Sequence, residues 1–452
     1  MPTSNAALSN LGAIDAAHHL HPFTNMTKLN ATGTRIIERG QGSHIFDSKG
    51  NKYLDAFAGL WCVNVGYGRK EIADAVYRQM QELPYYNAFF GTTTPPTVLL
   101  SEKITAHAGH LKHVFFTSSG SEATDTWFRM ARVYWAAKGK PSKKQIIARR
   151  NGYHGSTVAG ASLGGMKHMH EQGSLPIEDI HHIGQPYWYV EGGDLSPEEF
   201  GLKIARELEA KLDELGEDNV AAFVGEPIQG AGGVIVPPET YWPEIARICK
   251  ERNILLVTDE VICGFGRLGS WFGHQHFGVE PDLAPVAKGL SSGYLPIGGV
   301  LVSDRVAEVI KAGDFFHGYT YSGHPVCAAA ALENLRIIEE EKLVERVRDD
   351  IGPYFAKAWQ SLLDHDMVGE AQSVGLMGGL QLALDKKTRQ RFEDPDATGT
   401  WVRNKCIEMG LIMRATDDRM LASPPLVITH EEVDFMVSTL RKALDAAWKE
   451  LR

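Results

Sequence analysis

The sequence is short of cysteine, of basic charge and of long apolar runs, and each shortage removes a class of protein. Its five cysteines, Cys62, Cys249, Cys263, Cys327 and Cys406, are scattered, odd in number and never at metal-ligand spacing. Neither a disulfide scaffold nor a bound metal is expected, and free thiols fit a reducing compartment. Lysine and arginine number 46 against 56 aspartates and glutamates, a formal net charge of −10. With no basic field to offset phosphate repulsion, no nucleic-acid partner is expected. No window is apolar for long enough to cross a bilayer, so no membrane partner is expected either. Met1 to Ala17 has no basic patch ahead of an apolar run, and no signal peptide is read there. A cytoplasmic location is the resulting expectation. The apolar content of 43% and charged content of 23% are ordinary globular values. At 452 residues the chain outgrows a single core, so a large domain with a smaller companion is expected.

A polar, His-containing arm (Asn5 to Asn30) opens the chain, and His18, His19 and His21 read as part of a flexible segment without a metal-binding partner. The alternation around His44–Asp47 and Lys52–Asp55, with Ser48-Lys49-Gly50-Asn51 between, predicts a β-hairpin. From Val114 to Val302, apolar runs without a period of two alternate with helical patterns. Strands are expected at Val114–Thr117, Gln145–Ala148, Ala221–Glu226, Ile254–Asp259, Ala284–Ala287 and Val300–Ser303. Such runs predict an α/β fold with a mostly parallel, doubly wound sheet covered on both faces. After His324 the pattern becomes α+β: helices over Pro325–Glu341 and Leu343–Leu363, strands around Val374–Leu384 and a last helix over Glu431–Lys449. The expected division is an arm and hairpin (residues 1–60) belonging to the small domain, a large domain (61–325) and a small C-terminal domain (326–452).

Three strand ends carry chemistry. Val114-Phe115-Phe116-Thr117 runs into Ser118-Ser119-Gly120-Ser121-Glu122, and Ser119 and Glu122 have capping-box spacing. A helix start with free N–H groups and hydroxyls is an anion site, although the same residues also suit an ordinary capped helix. Asp259 ends the run Ile254–Thr258 at the edge where open α/β sheets bind ligands. A carboxylate buried there needs a cation, unless it merely caps a turn. Lys288 ends Ala284–Ala287 and is followed by small residues. A desolvated lysine has a lowered pKa and is a nucleophile, whereas a snorkelling lysine would be inert. Gly264-Phe265-Gly266-Arg267-Leu268-Gly269 matches a dinucleotide fingerprint, but the aromatic stretch Ser270–Phe277 behind it has no helical period, so a Rossmann site is rejected.

In combination and order, these segments resemble the class III aminotransferases, which are fold-type I pyridoxal-phosphate enzymes, and within them most resemble amine–pyruvate (omega) transaminases. The residues that carry the likeness are Ser119–Ala123, Gly152-Tyr153-His154-Gly155, Gly225–Gly230, Asp259-Glu260-Val261, Lys288-Gly289 and Gly318–Pro325. The resemblance implies that Lys288 carries pyridoxal 5′-phosphate as a Schiff base and shuttles the substrate proton, and that Asp259 pairs with the ring nitrogen. It also implies cofactor contacts from Ser119, Gly120, Ser121, Tyr153, His154, Glu226 and Val261, and from Thr320 of a neighbouring subunit. The active unit would then be a homodimer with shared sites, whose further pairing into tetramers is left open.

The same likeness implies that Arg414 grips a keto-acid carboxylate and swings away for an amine. Trp61, Phe89, Tyr153 and Ala231 fall in segments implied to line the substrate cleft, with Tyr86 beside them. Relatives acting on ornithine or 4-aminobutyrate carry Gln-Gly-Glu where this chain has Gln229-Gly230-Ala231. The missing carboxylate counts against a diamine or 4-aminobutyrate donor and towards an arylalkyl amine donor with pyruvate as acceptor. An aminomutase, another keto acid as acceptor, or a decarboxylase on the same fold are the competing readings. Arg414 disfavours the last of these, and a non-catalytic protein does not fit intact Lys288 and Asp259.

Overall fold

The computed structural model describes residues 11–451. Strands β1 (Ile37–Gln41), β2 (His44–Asp47) and β3 (Lys52–Asp55) form an antiparallel meander. The β2–β3 connection is a tight turn in which the Asp47 carboxylate accepts from the Lys49 and Asn51 N–H groups, the Asx chemistry that such a turn calls for.

The central sheet comprises β4 (His113–Thr117), β5 (Gln145–Arg149), β6 (Ile180–Ile183), β7 (Val220–Gly225), β8 (Leu255–Thr258), β9 (Leu283–Val286) and β10 (Gly298–Val302). Their order is β4-β10-β9-β8-β7-β5-β6, and only β10 runs against its neighbours. Every residue of β7, β8, β9 and β10 is buried, as the unbroken apolar runs require of strands covered on both faces. One cover is the helix Gly120–Ala137, which buries Trp127, Met130, Ala131 and Tyr134 against the sheet; the other includes Pro197–Leu215 and Tyr241–Glu251. Strand β6, Ile-His-His-Ile, escapes the sequence reading because its run is short and its two central residues are histidines.

The C-terminal part adds β11 (Val368–Val374), β12 (Met377–Leu382), β13 (Leu411–Ile412), β14 (Arg414–Thr416) and β15 (Arg419–Ala422). Strands β11-β12-β15-β14 make an antiparallel sheet, whereas β13 runs parallel to β3 with Leu411 opposite Leu54. That pairing ties the N-terminal meander to the C-terminal part of the chain. The helix expected over Leu343–Leu363 is interrupted: Leu343–Arg346 passes through a π turn at Val347–Ile351 into Gly352–Gln360. Pro353 lacks the N–H that would continue a regular ladder, and the wider turn accommodates its ring.

The N-terminal arm differs from the flexible segment expected of it. Within the described residues it forms the helices Leu11–His18 and Met26–Thr32, the second capped by Asn25, whose side chain accepts from the Lys28 N–H. The part of the arm before Leu11 lies outside the described residues. Among them, no helix is long and apolar enough to cross a membrane, and all five cysteines are free thiols.

Candidate active site

The carboxyl ends of five parallel strands converge. β4 delivers Ser118–Gly120, β5 leads to Gly152–Gly155, and β7, β8 and β9 end just before Glu226, Asp259 and Lys288. This is the edge at which open α/β sheets place ligands. A cavity of about 150 Å³ opens there, lined among others by Gly120, Ser121, Tyr153, His154, Asp259 and Lys288, with Glu226 and Val261 in the same wall.

One corner of it is the start of the helix Gly120–Ala137. Ser119 is the N-cap, its hydroxyl accepting from the Glu122 N–H at 3.2 Å. The reciprocal half of the expected capping box is shifted by one residue: the Glu122 carboxylate accepts from Ser118 N–H, at 2.7 Å. Ser121 Oγ accepts from the Ser156 N–H at 3.1 Å, which leaves its own hydrogen free to donate. Gly120 is needed because a Cβ would lie 3.1 and 3.2 Å from the two methyls of Val261.

Asp259 is 3% exposed. Its Oδ2 lies 2.7 Å from His154 Nδ1, and its Oδ1 accepts from the Val261 N–H at 3.1 Å. His154 Nε2 is buried with no partner among the described residues. Glu226 closes the floor, accepting from the Tyr153 and Gly230 N–H groups at 3.1 and 2.8 Å. Burial pushes its pKa up, against the pull of His154 and of the Arg149 guanidinium, which donates to the Glu226 backbone carbonyl at 2.5 Å.

Lys288 follows β9 with φ at +43°, an uncommon conformation for a residue with a side chain. Its amine makes no hydrogen bond or ion pair among the described residues, and burial lowers its pKa. The Lys288 Nζ lies 5.6 Å from the centre of the Trp61 ring, and the Arg414 guanidinium lies 5.6 Å from the same ring. Trp61 thus lies near both cations, its ring braced edge-on by Phe57 at 4.4 Å. Burial also lowers the pKa of Arg414, which has no carboxylate partner among the described residues. Ala231 packs in the apolar cluster of Phe57, Trp61 and Ile262.

Phe89 lies elsewhere, and Thr320, expected at a neighbouring subunit's site, lies outside its own chain's cavity. Phe89 does not line the Lys288 cavity: its segment packs against residues 315–323, where a Cβ on Gly318 would fall 2.7 Å from its ring. Thr320 is exposed in that same loop, its carbonyl accepting from Tyr85 Oη at 2.6 Å, and Tyr86 is exposed nearby. Sequence reasoning missed Leu60, Gly155 and Ile262 in the cavity wall. It also missed Phe23 of the arm, whose ring sits edge-on to Tyr153 at 6.3 Å. Gly155 was visible within Gly152-Tyr153-His154-Gly155; a phenylalanine in an irregular arm carries no such signal.

The sequence and fold are similar to those of known proteins. Residues 27–444 match the family model for aminotransferase class-III. The chain is 58% identical to a putrescine–pyruvate aminotransferase of Pseudomonas aeruginosa, over 98% of this chain and 97% of that one. Among solved structures, it is similar to the omega transaminase of Pseudomonas jessenii in complex with PMP, with a TM-score of 0.95, 40% identity and coverage of 98% and 99%. A thermostable (S)-enantioselective omega-transaminase of Thermomicrobium roseum superposes with a TM-score of 0.94 at 41% identity, over 99% of this chain and all of that one.

Proposed function

The chain belongs to the class-III aminotransferase family, and from that premise we propose that it moves the amino group of a primary amine onto pyruvate, giving a ketone or aldehyde and alanine. Its cofactor is pyridoxal 5′-phosphate. The cavity suits that group: it combines an unpaired lysine amine, a buried carboxylate and a helix start against which the facing Gly155 leaves no room for a Cβ. When bound, the cofactor supplies an electrophilic carbon for amines and a ring that draws electrons from the carbon losing its proton.

In this reading Lys288 holds the cofactor through Nζ. Burial of the ammonium favours the neutral amine, which serves first as nucleophile and then as the base that takes and returns the substrate proton. Asp259 would pair with the ring nitrogen, and His154 Nδ1 and the Val261 N–H orient its carboxylate. Ser119 caps the helix whose N–H groups at Gly120 and Ser121, with the free Ser121 hydroxyl, take the phosphate. Tyr153 and Val261 would pack against the ring, and Glu226 fixes the Tyr153 backbone. Arg414, desolvated and without an anionic partner, binds the pyruvate carboxylate bidentately.

The proposed donors are arylalkyl amines, with Trp61 as the aromatic wall, and short diamines. The relative named for putrescine acts on a diamine, which favours such donors here despite the missing carboxylate at position 231. A donor without a carboxylate needs no anion there; it needs only that Arg414 can leave the pocket.

The active unit we propose is a homodimer in which Thr320 and Phe89 act at the second copy's site. Both lie outside their own chain's cavity, beside exposed aromatic rings at Tyr86, Phe90, Phe316 and Tyr321. A cytoplasmic location is in keeping with the five free thiols.

One observation carries the reading: the unpartnered Lys288 amine, the Asp259–His154 pair and the helix start face one cavity. The test is to record the visible spectrum of the purified holoenzyme, then add putrescine or either enantiomer of 1-phenylethylamine without keto acid. Conversion of the cofactor band to the pyridoxamine form by putrescine and by the S enantiomer is expected, and pyruvate should restore it. A band changed by alanine but by none of the amines would remove the amine-donor reading.

A further inference from the structure

The helix Leu11–His18 ends in a histidine run that folds back on it. Asp15 Oδ1 lies 2.9 Å from His19 Nδ1, and Asp15 Oδ2 lies 2.9 Å from His21 Nε2. One ligand-capable atom from each of the three residues lies within 4.8 Å of the other two. We propose that Asp15, His19 and His21 form a binding site for a divalent transition cation such as Zn²⁺ or Co²⁺, with water as fourth ligand, and that the ion fastens the N-terminal arm over the active-site entrance.

Two imidazoles and one carboxylate suit borderline cations rather than Mg²⁺ or Ca²⁺, which prefer all-oxygen sets. Zinc bonds of about 2.0–2.1 Å imply tetrahedral ligand separations of roughly 3.3 Å, so the present 2.9 Å contacts need to open by only a few tenths of an ångström. The Asp15 and His21 side chains are 17% and 20% exposed while His19 is 59% exposed, which leaves one side open for the ion and its water to enter. Thr34 Oγ1 donates to Asp15 Oδ2 at 2.6 Å and fixes the carboxylate from behind, as outer-shell partners of metal ligands do. The two imidazole rings lie 4.1 Å apart, both turned to one carboxylate.

The position gives the site a consequence. His21 stands two residues before Phe23, whose ring meets Tyr153 of the cavity edge-on at 6.3 Å. An ion joining the end of the first helix to His21, with Asp15 anchored to Thr34, holds Phe23 against Tyr153.

The experiment uses chelator-treated holoenzyme titrated with Co²⁺, read by the ligand-field absorption of tetrahedral cobalt. Bound Zn²⁺ is counted by mass spectrometry after gel filtration. One equivalent per chain is expected. His21→Ala and His19→Ala should weaken binding by at least about 100-fold, and Thr34→Ala by about 10-fold. Ion loading should slow hydrogen exchange over residues 11–34 in the wild type and not in His21→Ala. His21→Gln serves as a second variant, and thermal midpoints of the metal-free proteins establish that each is folded. Absence of a stoichiometric site in the wild type overturns the proposal, as does equal binding by the His19→Ala/His21→Ala double variant.

Discussion

Replacing Gly155 with alanine separates the shape of the anion corner from its charge. Gly155 has φ at +119°, and a Cβ there would fall 2.6 Å from Ser121 Oγ, 2.9 Å from Ser121 Cα and 3.0 Å from Ser121 Cβ. The nearest atom could swing aside, but Ser121 Cα belongs to the first turn of the helix Gly120–Ala137 and moves only with the helix start. The disfavoured backbone costs about 1–2 kcal/mol. Forcing a methyl into an occupied space costs about 1–3 kcal/mol more. The readiest relief is to push the Ser121 hydroxyl off the phosphate, which forfeits a charge-assisted hydrogen bond of about 1.5–3 kcal/mol. Cofactor affinity should then fall about 10- to 150-fold. Gly139→Ala is the control, because Gly139 also has a positive φ (+76°) but a Cβ there meets nothing within 4 Å. The assay is equilibrium titration of each apoenzyme with pyridoxal 5′-phosphate, followed by visible absorbance. If Gly155→Ala binds within about twofold of Gly139→Ala, the Ser121 contact is not what the glycine protects, and the reasoning fails.

Arg414→Ala should lower kcat/KM for pyruvate by about 10- to 150-fold, through loss of a charged bidentate contact, and leave the amine half-reaction nearly unchanged. Single-turnover kinetics of the two half-reactions check this, and equal damage to both would refute it. Trp61→Ala should change the ratio of rates for 1-phenylethylamine and an alkyl amine by about tenfold, because the ring lies near both Lys288 and Arg414; an unchanged ratio counts against the proposed pocket. Burial holds the His182 pKa down to about 4, while the unfolded chain takes up this proton near pH 6.5. The unfolded state therefore binds more protons in that window, and stability falls as pH drops from about 6.5 towards about 4, by at most about 1.4 kcal/mol per pH unit and less where solvent reaches the ring. Urea midpoints measured across this range should decline less steeply in His182→Asn; parallel curves would refute the assignment.

The residues that could be named from the sequence share one physical property. Ser119, Asp259 and Lys288 each come at or just after the end of an apolar run, as does Glu226, which the family likeness alone named, and a parallel sheet brings the ends of such runs to one edge whatever the loops do. A polar residue at a buried strand end therefore announces both its place and its need for a partner. Nothing local announces the residues that surround the substrate. Trp61 reaches the Lys288 amine because Ala58 and Gly59 take positive φ, +46° and +68°, and Trp61 itself +56°. Ala-Gly-Leu-Trp reads in sequence as unremarkable loop. Arg414 meets Trp61 only because β13, two residues earlier, pairs with β3, which leads directly into the Trp61 segment. Phe89 shows the converse: an aromatic residue near the right motifs packs against Gly318, on a different face from the Lys288 cavity. The Asp15, His19 and His21 cluster likewise forms only when the end of a short helix turns back on itself. The chemistry that a strand end dictates is local and legible. On the proposed roles, substrate choice rests on residues 61, 288 and 414, which the pairing of β13 with β3 helps to bring together, whereas the step common to the whole fold rests on strand ends that the chain itself announces.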